Sequence, residues 1–175
     1  MITKDNSLKV MEVYYNSPNG TFHIRELARI TGLSSTGIIK IAKRLKQDGL
    51  LTSEKKNVIE EIRPILEAKF YLMKRLYNIY SLYESRLIEE LKQFYEQPEA
   101  IILFGSYEKG TDDEKSDIDI AVITNKQKLP ELTRFEKKLK RKIDILTIDL
   151  KSASKEFKNS LANGIVLEGY LELIR

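Results

Sequence analysis

The chain has 175 residues, of which 42% are hydrophobic and 32% are charged, a balance that predicts a soluble globular protein of one ordinary domain or two small ones. It contains no cysteine and one histidine, which excludes disulfides, cysteine-based zinc sites and metal centres built from several histidines. No apolar run approaches the roughly 20 residues needed to span a bilayer. The first residues lack the apolar core of a signal peptide, so we expect a cytoplasmic protein without membrane contacts.

The excess of positive charge lies in the N-terminal third of the chain. Residues 1–63 carry eleven Lys and Arg against seven Asp and Glu, a net charge of +4. Residues 64–97 and 98–175 each carry equal numbers of both signs. A polyanion-binding surface is therefore expected in the first third.

Three helices and a hairpin are predicted in this basic segment. The first helix is expected to be capped by Asn6 or Ser7, and turn residues end it at 17–20. A second helix over 24–30 is followed by a tight turn around Gly32. Ser34 or Ser35 is expected to cap the third helix, which ends near Asp48 and Gly49. Residues 50–62 then have the pattern of a hairpin with a charged tip.

Residues 5–63 resemble a winged helix-turn-helix domain, in which a Gly-containing turn separates the second and third helices and a hairpin follows. The resemblance implies that the third helix faces duplex DNA and that the hairpin tip contacts its phosphates. The residues expected to do so are Ser34, Ser35, Thr36, Lys40, Lys43, Arg44, Lys55 and Lys56. A protein-docking role stays open, because Ile39 lies where a DNA-reading helix usually exposes a polar side chain.

A long connecting helix is predicted over residues 65–95, within a linking segment that we place at 64–97. Its apolar and aromatic side chains occupy more than one helical stripe, so we expect burial on several sides. The helix would pack between the two domains, against a second copy in a homodimer, or both. Its tyrosines are interpreted as interface packing rather than as a base-stacking platform.

The most specific motif begins where the apolar run 101–104 ends in Gly105 and Ser106. Ten residues later, Asp117 and Asp119 flank Ile118 in an alternating apolar run. A small residue lets the backbone approach a phosphate closely. Side chains alternate along a strand, so the two carboxylates are expected on one face. Because adjacent carboxylates repel each other, the pair predicts a bound divalent cation, Mg²⁺ or Mn²⁺.

A third carboxylate, Asp144, lies in another alternating run over residues 142–148. A charge between Ile143 and Ile145 is costly unless it is paired or bound to a metal. Gly-Ser alone is a common turn, and Asp-x-Asp alone is a common strand end. Their coincidence at this spacing, with Asp144 available, favours a metal site.

Residues 98–175 resemble the minimal nucleotidyltransferase domain of the polymerase-beta-like superfamily, whose signature is Gly-Ser, about ten residues, Asp-x-Asp and a later strand Asp. The resemblance implies that Gly105 and Ser106 hold nucleotide phosphates and that Asp117 and Asp119 ligate Mg²⁺. It also implies that Asp144 completes the metal site and orients or deprotonates the attacking hydroxyl. The segment 108–110 departs from the small-Arg-Gly pattern common among relatives, and residues 112–114 add negative charge.

The expected fold is α+β or α/β, with a winged helix-turn-helix domain over 1–63, a connecting long helix over 64–97 and a small mixed-sheet nucleotidyltransferase domain over 98–175. The leading function is Mg²⁺-dependent transfer of an NMP group from a nucleoside triphosphate to an acceptor hydroxyl, beside a DNA-binding module. The resemblance leaves a protein acceptor or toxin partner open, as well as a small molecule. The alternative is a DNA-binding regulator or antitoxin-like protein whose second domain senses nucleotide or docks a partner. The short chain disfavours a template-directed polymerase.

Overall fold

A computed structural model describes residues 5–56, 59–150 and 153–172, apart from the side chains of Lys56 and Ile59. The chain divides into two compact units, Met1–Leu72 and Met73–Arg175. Each unit has its own sheet. None of the helices in the described ranges could span a bilayer.

The N-terminal unit contains the three helices and the hairpin that the sequence predicts. Its elements are α1 (Asn6–Asn16), β1 (Phe22–His23), α2 (Ile24–Thr31), α3 (Ser35–Gln47), β2 (Leu51–Lys56) and β3 (Ile59–Pro64). The strands form an antiparallel sheet in the order β1-β3-β2. Leu27, Ile38 and Leu45 of the helices are buried, as is Ile62 of the sheet. Burial of this apolar set holds the helices on the sheet.

Capping residues decide where these helices begin. The carboxylate of Asp5 accepts a hydrogen bond from the Ser7 amide at 3.4 Å, so Asp5 caps α1 and the predicted caps Asn6 and Ser7 are wrong. A carboxylate one residue earlier is an equally good acceptor for the first amides of the helix. The prediction for α3 is confirmed at Ser34, whose hydroxyl oxygen accepts a hydrogen bond from the Gly37 amide at 3.1 Å.

The predicted helix over 65–95 is two helices, α4 (Ala68–Ser85) and α5 (Leu87–Phe94). Arg86 interrupts them with a φ of 67°, a left-handed conformation that an α-helix does not continue through. The hydroxyl oxygen of Ser85 accepts a hydrogen bond from the Leu87 amide at 3.1 Å, which satisfies a donor at the start of α5. A long connecting helix is thus confirmed as α4, but its predicted extent over 65–95 is wrong.

The C-terminal unit contains the predicted small mixed sheet. After α5 its elements are β4 (Ala100–Phe104), α6 (Gly105–Lys109), β5 (Ile118–Ile123), α7 (Thr133–Leu139), β6 (Ile143–Ile148), α8 (Lys155–Ala162) and β7 (Ile165–Gly169). The strand order is β6-β5-β4-β7. The β5 and β6 strands are parallel, whereas β4 is antiparallel to both of its neighbours.

Both faces of this sheet carry apolar side chains. Ile118, Ile120 and Ile145 belong to a core that includes Leu91 of α5 and Phe135 of α7. The opposite face carries Ala100, Ile102, Ala121 and Ile123, which form a second core with Leu161 of α8. Side chains alternate along each strand, so residue 119 of β5 and residue 144 of β6 belong to this second face.

Candidate active site

Asp119 and Asp144 lie directly opposite each other on the parallel strands β5 and β6. Paired positions on neighbouring strands present their side chains to the same face of the sheet. Asp119 is half-buried, whereas Asp144 is exposed between the buried residues Ile143 and Ile145. Pairing of these two strands therefore brings together two carboxylates that are 25 residues apart in the sequence.

Asp117 immediately precedes β5 and is exposed. The pKa of Asp119 is raised, first by its partial burial and then by the negative charges of Asp144 and Asp117. The three carboxylates are thus near enough for the outer two to destabilise the ionised form of the central one. This mutual repulsion is the electrostatic setting that a cation would relieve.

Gly105 lies against the carboxylate of Asp119. Its φ is 81°, and a Cβ at this position would lie 2.3 Å from Oδ2 of Asp119. Both the backbone conformation and the available space therefore require glycine. The sequence motif indicated that this glycine permits close approach to a phosphate, and the structure adds contact with an acidic residue of the site. Ser106 follows in α6 and is half-buried.

Asp113 shapes the loop that leads to Asp117. One of its carboxylate oxygens accepts hydrogen bonds from the Lys115 amide at 2.9 Å, the Ser116 amide at 3.1 Å and the Ser116 hydroxyl at 3.0 Å. These bonds hold a tight turn directly before β5. The pKa of Asp113 is lowered, with the Lys115 amide bond as the largest cause. The Asp113 carboxylate therefore stabilises the loop through these hydrogen bonds.

Two further acids that the sequence placed near the site are buried and paired. Glu108 of α6 forms an ion pair with Arg75 of α4. Asp112 forms an ion pair with the buried Lys74 through Oδ1, and Arg141 Nη2 lies 3.7 Å from its Oδ2. The negative charges of Glu108 and Asp112 are thus balanced by buried or neighbouring cations, so these two acids do not add to the charge of the site.

Asn78 completes this buried polar cluster. Its amide nitrogen donates hydrogen bonds to the Tyr107 carbonyl oxygen at 2.9 Å and to Asp112 Oδ1 at 2.8 Å. Lys74 and Asn78 are four residues apart and thus lie on the same face of α4. Sequence reasoning missed them, although two polar residues at helical spacing within an apolar stretch were a usable signal. Burial lowers the pKa of Lys74, and its ion pair with Asp112 opposes that shift.

The carboxylates suit a hard divalent cation, because Mg²⁺ and Mn²⁺ prefer oxygen ligands. Asp119 and Asp144 share a face, and their charges and that of Asp117 interact. As the side chains stand, however, no three His, Cys, Asp or Glu residues of the described ranges are arranged to hold a metal ion. The three-carboxylate metal site therefore stays a prediction.

The residues predicted to contact DNA are spread along α3 and β2. Ser35, Thr36, Lys40 and Lys43 are exposed on α3, as is Lys55 on β2. The side chain of Lys56 and the hairpin tip at 57–58 lie outside the described part of the chain.

Arg44 is exposed but engaged within the N-terminal unit. Its Nη2 donates hydrogen bonds to Asp5 Oδ2 at 3.2 Å and to Ser7 Oγ at 2.8 Å. Ile39, which the sequence analysis singled out as apolar, is 55% exposed. The exposed lysines suit a phosphate-contacting face, whereas Ile39 suits an apolar partner, so DNA contact stays a prediction.

Comparison with known families identifies the C-terminal domain. Residues 86–170, from Arg86 to the end of β7, match the family model described as polymerase beta, nucleotidyltransferase. The match covers somewhat under half of the chain and includes Gly105 and all three site carboxylates. No family match identifies the N-terminal unit as a winged helix-turn-helix domain, and no curated protein matches the chain. Residues 86–170 are therefore a polymerase beta-like nucleotidyltransferase domain, of a family whose members typically use a divalent metal.

Proposed function

We propose that this protein transfers an NMP group from a nucleoside triphosphate to an acceptor hydroxyl. The observation that carries the proposal is the opposition of Asp119 and Asp144 across β5 and β6, with Gly105 against the Asp119 carboxylate. This arrangement lies inside the segment that matches the nucleotidyltransferase family.

Each residue has a defined role in the proposed reaction. The backbone of Gly105 and Ser106 binds the triphosphate, because no side chain of Gly105 separates it from the ligand. Asp117, Asp119 and Asp144 would hold Mg²⁺ or Mn²⁺. When bound, such an ion supplies charge neutralisation at the α-phosphate and the leaving pyrophosphate.

Asp144 is exposed on the edge strand β6, which supports a role for it in contacting the acceptor. It orients the acceptor hydroxyl or accepts its proton. The hydroxyl oxygen forms a bond to the α-phosphorus, the bond between the α- and β-phosphates breaks, and pyrophosphate leaves. The products are a nucleotidylated acceptor and pyrophosphate.

The test is incubation of the full chain with each α-labelled nucleoside triphosphate and Mg²⁺ or Mn²⁺, with and without candidate protein, nucleic-acid and small-molecule acceptors. Label should appear on an acceptor with release of pyrophosphate, and Asp119→Asn should abolish both. Glu156→Gln is a matched control, because Glu156 is an exposed acid at the first turn of α8. Equal activity of the wild type and Asp119→Asn would contradict the proposal.

We also propose that the N-terminal unit binds duplex DNA. The supporting observation is the net charge of +4 over residues 1–63 together with exposed Lys40 and Lys43 on α3. An alternative function follows if catalysis is absent: a regulator or antitoxin-like protein whose C-terminal domain senses nucleotide or docks a toxin partner. DNA affinity that changes with nucleotide, without pyrophosphate release, would favour this alternative.

A further inference from the structure

A run of cations covers the last turn of α7 and the segment that leads from it to β6 in the nucleotidyltransferase domain. Residues 137–142 contain five Lys and Arg and no acid, although residues 98–175 carry no net charge. The net charge of residues 98–175 does not reveal this cluster, because the acids that balance it lie elsewhere in the sequence of the domain. The cluster ends one residue before Ile143, the first residue of the strand that carries Asp144.

The cationic run borders an open groove beside Asp117. The groove has a volume of about 580 Å³, and its basic lining consists of Lys115, Lys137, Lys140, Arg141 and Lys142. Asp117 lines the same groove. A strongly basic surface therefore adjoins the first of the three candidate metal ligands.

The backbone of this run is fixed by internal bonds. Arg141 is buried, and its Nη1 donates a hydrogen bond to the Lys140 carbonyl oxygen at 3.0 Å. The Ile118 amide donates a hydrogen bond to the Lys142 carbonyl oxygen at 2.9 Å. Because Ile118 follows Asp117 directly, this bond holds the cationic run next to the acidic site.

Four ammonium groups of the groove remain available to a ligand. Lys115, Lys137, Lys140 and Lys142 are exposed, and their side chains form no ion pair or hydrogen bond with other described residues. Glu136 also lines the groove, but its Oε1 accepts a hydrogen bond from the Ile143 amide at 3.1 Å. Glu114 is the remaining glutamate of the lining, so cations outnumber acids there.

We propose that this groove binds the phosphates of a single-stranded nucleic acid, whose terminal hydroxyl is the acceptor in the proposed nucleotidyl transfer. The inference rests on that proposed function. A nucleic acid carries several phosphates close to a terminal hydroxyl, which matches a row of free ammonium groups beside Asp117. An acidic protein has no such fixed spacing between its charges and a hydroxyl.

The test measures how tightly the full chain binds a single-stranded oligonucleotide with a fluorescent label at its 5′ end. Fluorescence anisotropy reports the binding at several salt concentrations. Parallel measurements with RNA and with DNA oligonucleotides show which of the two nucleic acids the groove binds. The groove variant is Lys137→Gln, Lys140→Gln, Lys142→Gln. The control is Lys128→Gln, Lys155→Gln, Lys158→Gln, which removes the same charge from the same domain. Both variants also carry Lys40→Gln and Lys43→Gln. These substitutions remove two exposed cations of α3, the other proposed nucleic-acid-binding surface.

The groove variant should bind at least about tenfold more weakly than the control. Its plot of log affinity against log salt should be shallower by about 2, because each phosphate of a single strand that is neutralised by a lysine contributes roughly 0.7 to the slope. Equal affinities and slopes for the two variants would overturn the proposal.

Two further measurements separate the ligand classes and the two proposals. Affinity for the nucleoside triphosphate with Mg²⁺ should be the same in both variants. If the groove variant lost affinity for the triphosphate but kept its affinity for the oligonucleotide, the groove would be a nucleotide site and the proposal would be overturned. Binding of a polyglutamate peptide as tightly as the oligonucleotide would also overturn it. Selective loss of oligonucleotide binding without pyrophosphate release would support the groove while rejecting the proposed catalysis.

Discussion

Lys74 of α4 and Asp112 of the loop after α6 form an ion pair that is fully enclosed in the C-terminal unit. Asn78 and Arg75 add bonds from the same helix to Asp112 and Glu108. The connecting helix is therefore fastened to the segment that carries Gly105 and leads to Asp117. The position of the candidate site depends on polar groups of α4 that lie far from it in the sequence.

Substitution of Lys74 by methionine should destabilise the protein strongly. Removal of one partner leaves Asp112 buried with incomplete compensation, which typically costs about 3 kcal/mol or more. Lys92→Met is the matched control, because Lys92 pairs with Glu168 at 2.8 Å on the surface and such pairs contribute up to about 1 kcal/mol. Urea unfolding measures both free energies. A Lys74→Met variant as stable as Lys92→Met would show that the enclosed pair contributes little.

Gly105→Ala should destabilise the protein through contact with Asp119. A left-handed φ alone costs an alanine roughly 1 kcal/mol, and the Cβ would additionally lie 2.3 Å from Oδ2 of Asp119. Gly32→Ala serves as the control for strain alone, because Gly32 has a φ of 70° and nothing within 4 Å of the added Cβ. In an Asp119→Ala background the cost of Gly105→Ala should fall toward that of Gly32→Ala, as a thermal-unfolding double-mutant cycle would measure.

The sequence predicted the elements around this site because they depend on local pattern. Alternation of apolar residues identified β5 and β6, and the Gly-Ser turn identified the end of β4. The pairing of Asp119 with Asp144 is a long-range register, which no local pattern specifies. The roles of Glu108 and Asp112 were missed for the same reason, since their partners Arg75 and Lys74 are more than 30 residues away.

The break at Arg86 shows a second limit of what the sequence alone could predict. Residues 65–95 carry no proline or glycine, so propensity predicted one continuous helix. The left-handed conformation of Arg86 is energetically unfavourable for a single residue, but Leu82, Leu87 and Leu91 are all buried on the two sides of it. Tertiary packing of these leucines therefore outweighs a local preference of about 1 kcal/mol.

Divalent cations should stabilise the protein. A ligand that binds only the folded state raises the melting temperature, so Mg²⁺ or Mn²⁺ should do so in the wild type. Asp117→Asn with Asp119→Asn should remove this shift. The same variant should melt higher than the metal-free wild type, because the negative charges of Asp117 and Asp144 oppose ionisation of Asp119. Glu131→Gln with Glu156→Gln is the control for loss of two acidic charges. A shift that persists in the double Asn variant would place the ion elsewhere.

Duplex DNA binding by the full chain should weaken steeply as salt is raised, because bound lysines release counterions from the phosphates. Lys40→Ala with Lys43→Ala should lower the affinity and flatten the salt dependence by about 2, at roughly 0.9 per phosphate contact. Lys46→Ala is an informative control, since Lys46 already pairs with Glu60 at 2.8 Å and is expected to contribute less. Binding that is absent at low salt would favour a protein-docking role, with exposed Ile39 as part of the docking surface.

The protein should form a homodimer through α4. Met73, Leu76 and Tyr83 are 40%, 54% and 41% exposed, and their spacing of three and seven residues places them along one face of the helix together with half-buried Tyr80. Burial of one such side chain against a second copy contributes about 2 kcal/mol, whereas a lasting exposed apolar stripe would promote aggregation. A two-fold dimer would also present two copies of α3 to paired DNA half-sites.

Light scattering at low micromolar concentration should give twice the monomer mass for the wild type and the monomer mass for Leu76→Glu. Glu84→Gln, on the same helix, should leave the dimer intact, and a monomeric wild type that stays soluble would contradict the prediction.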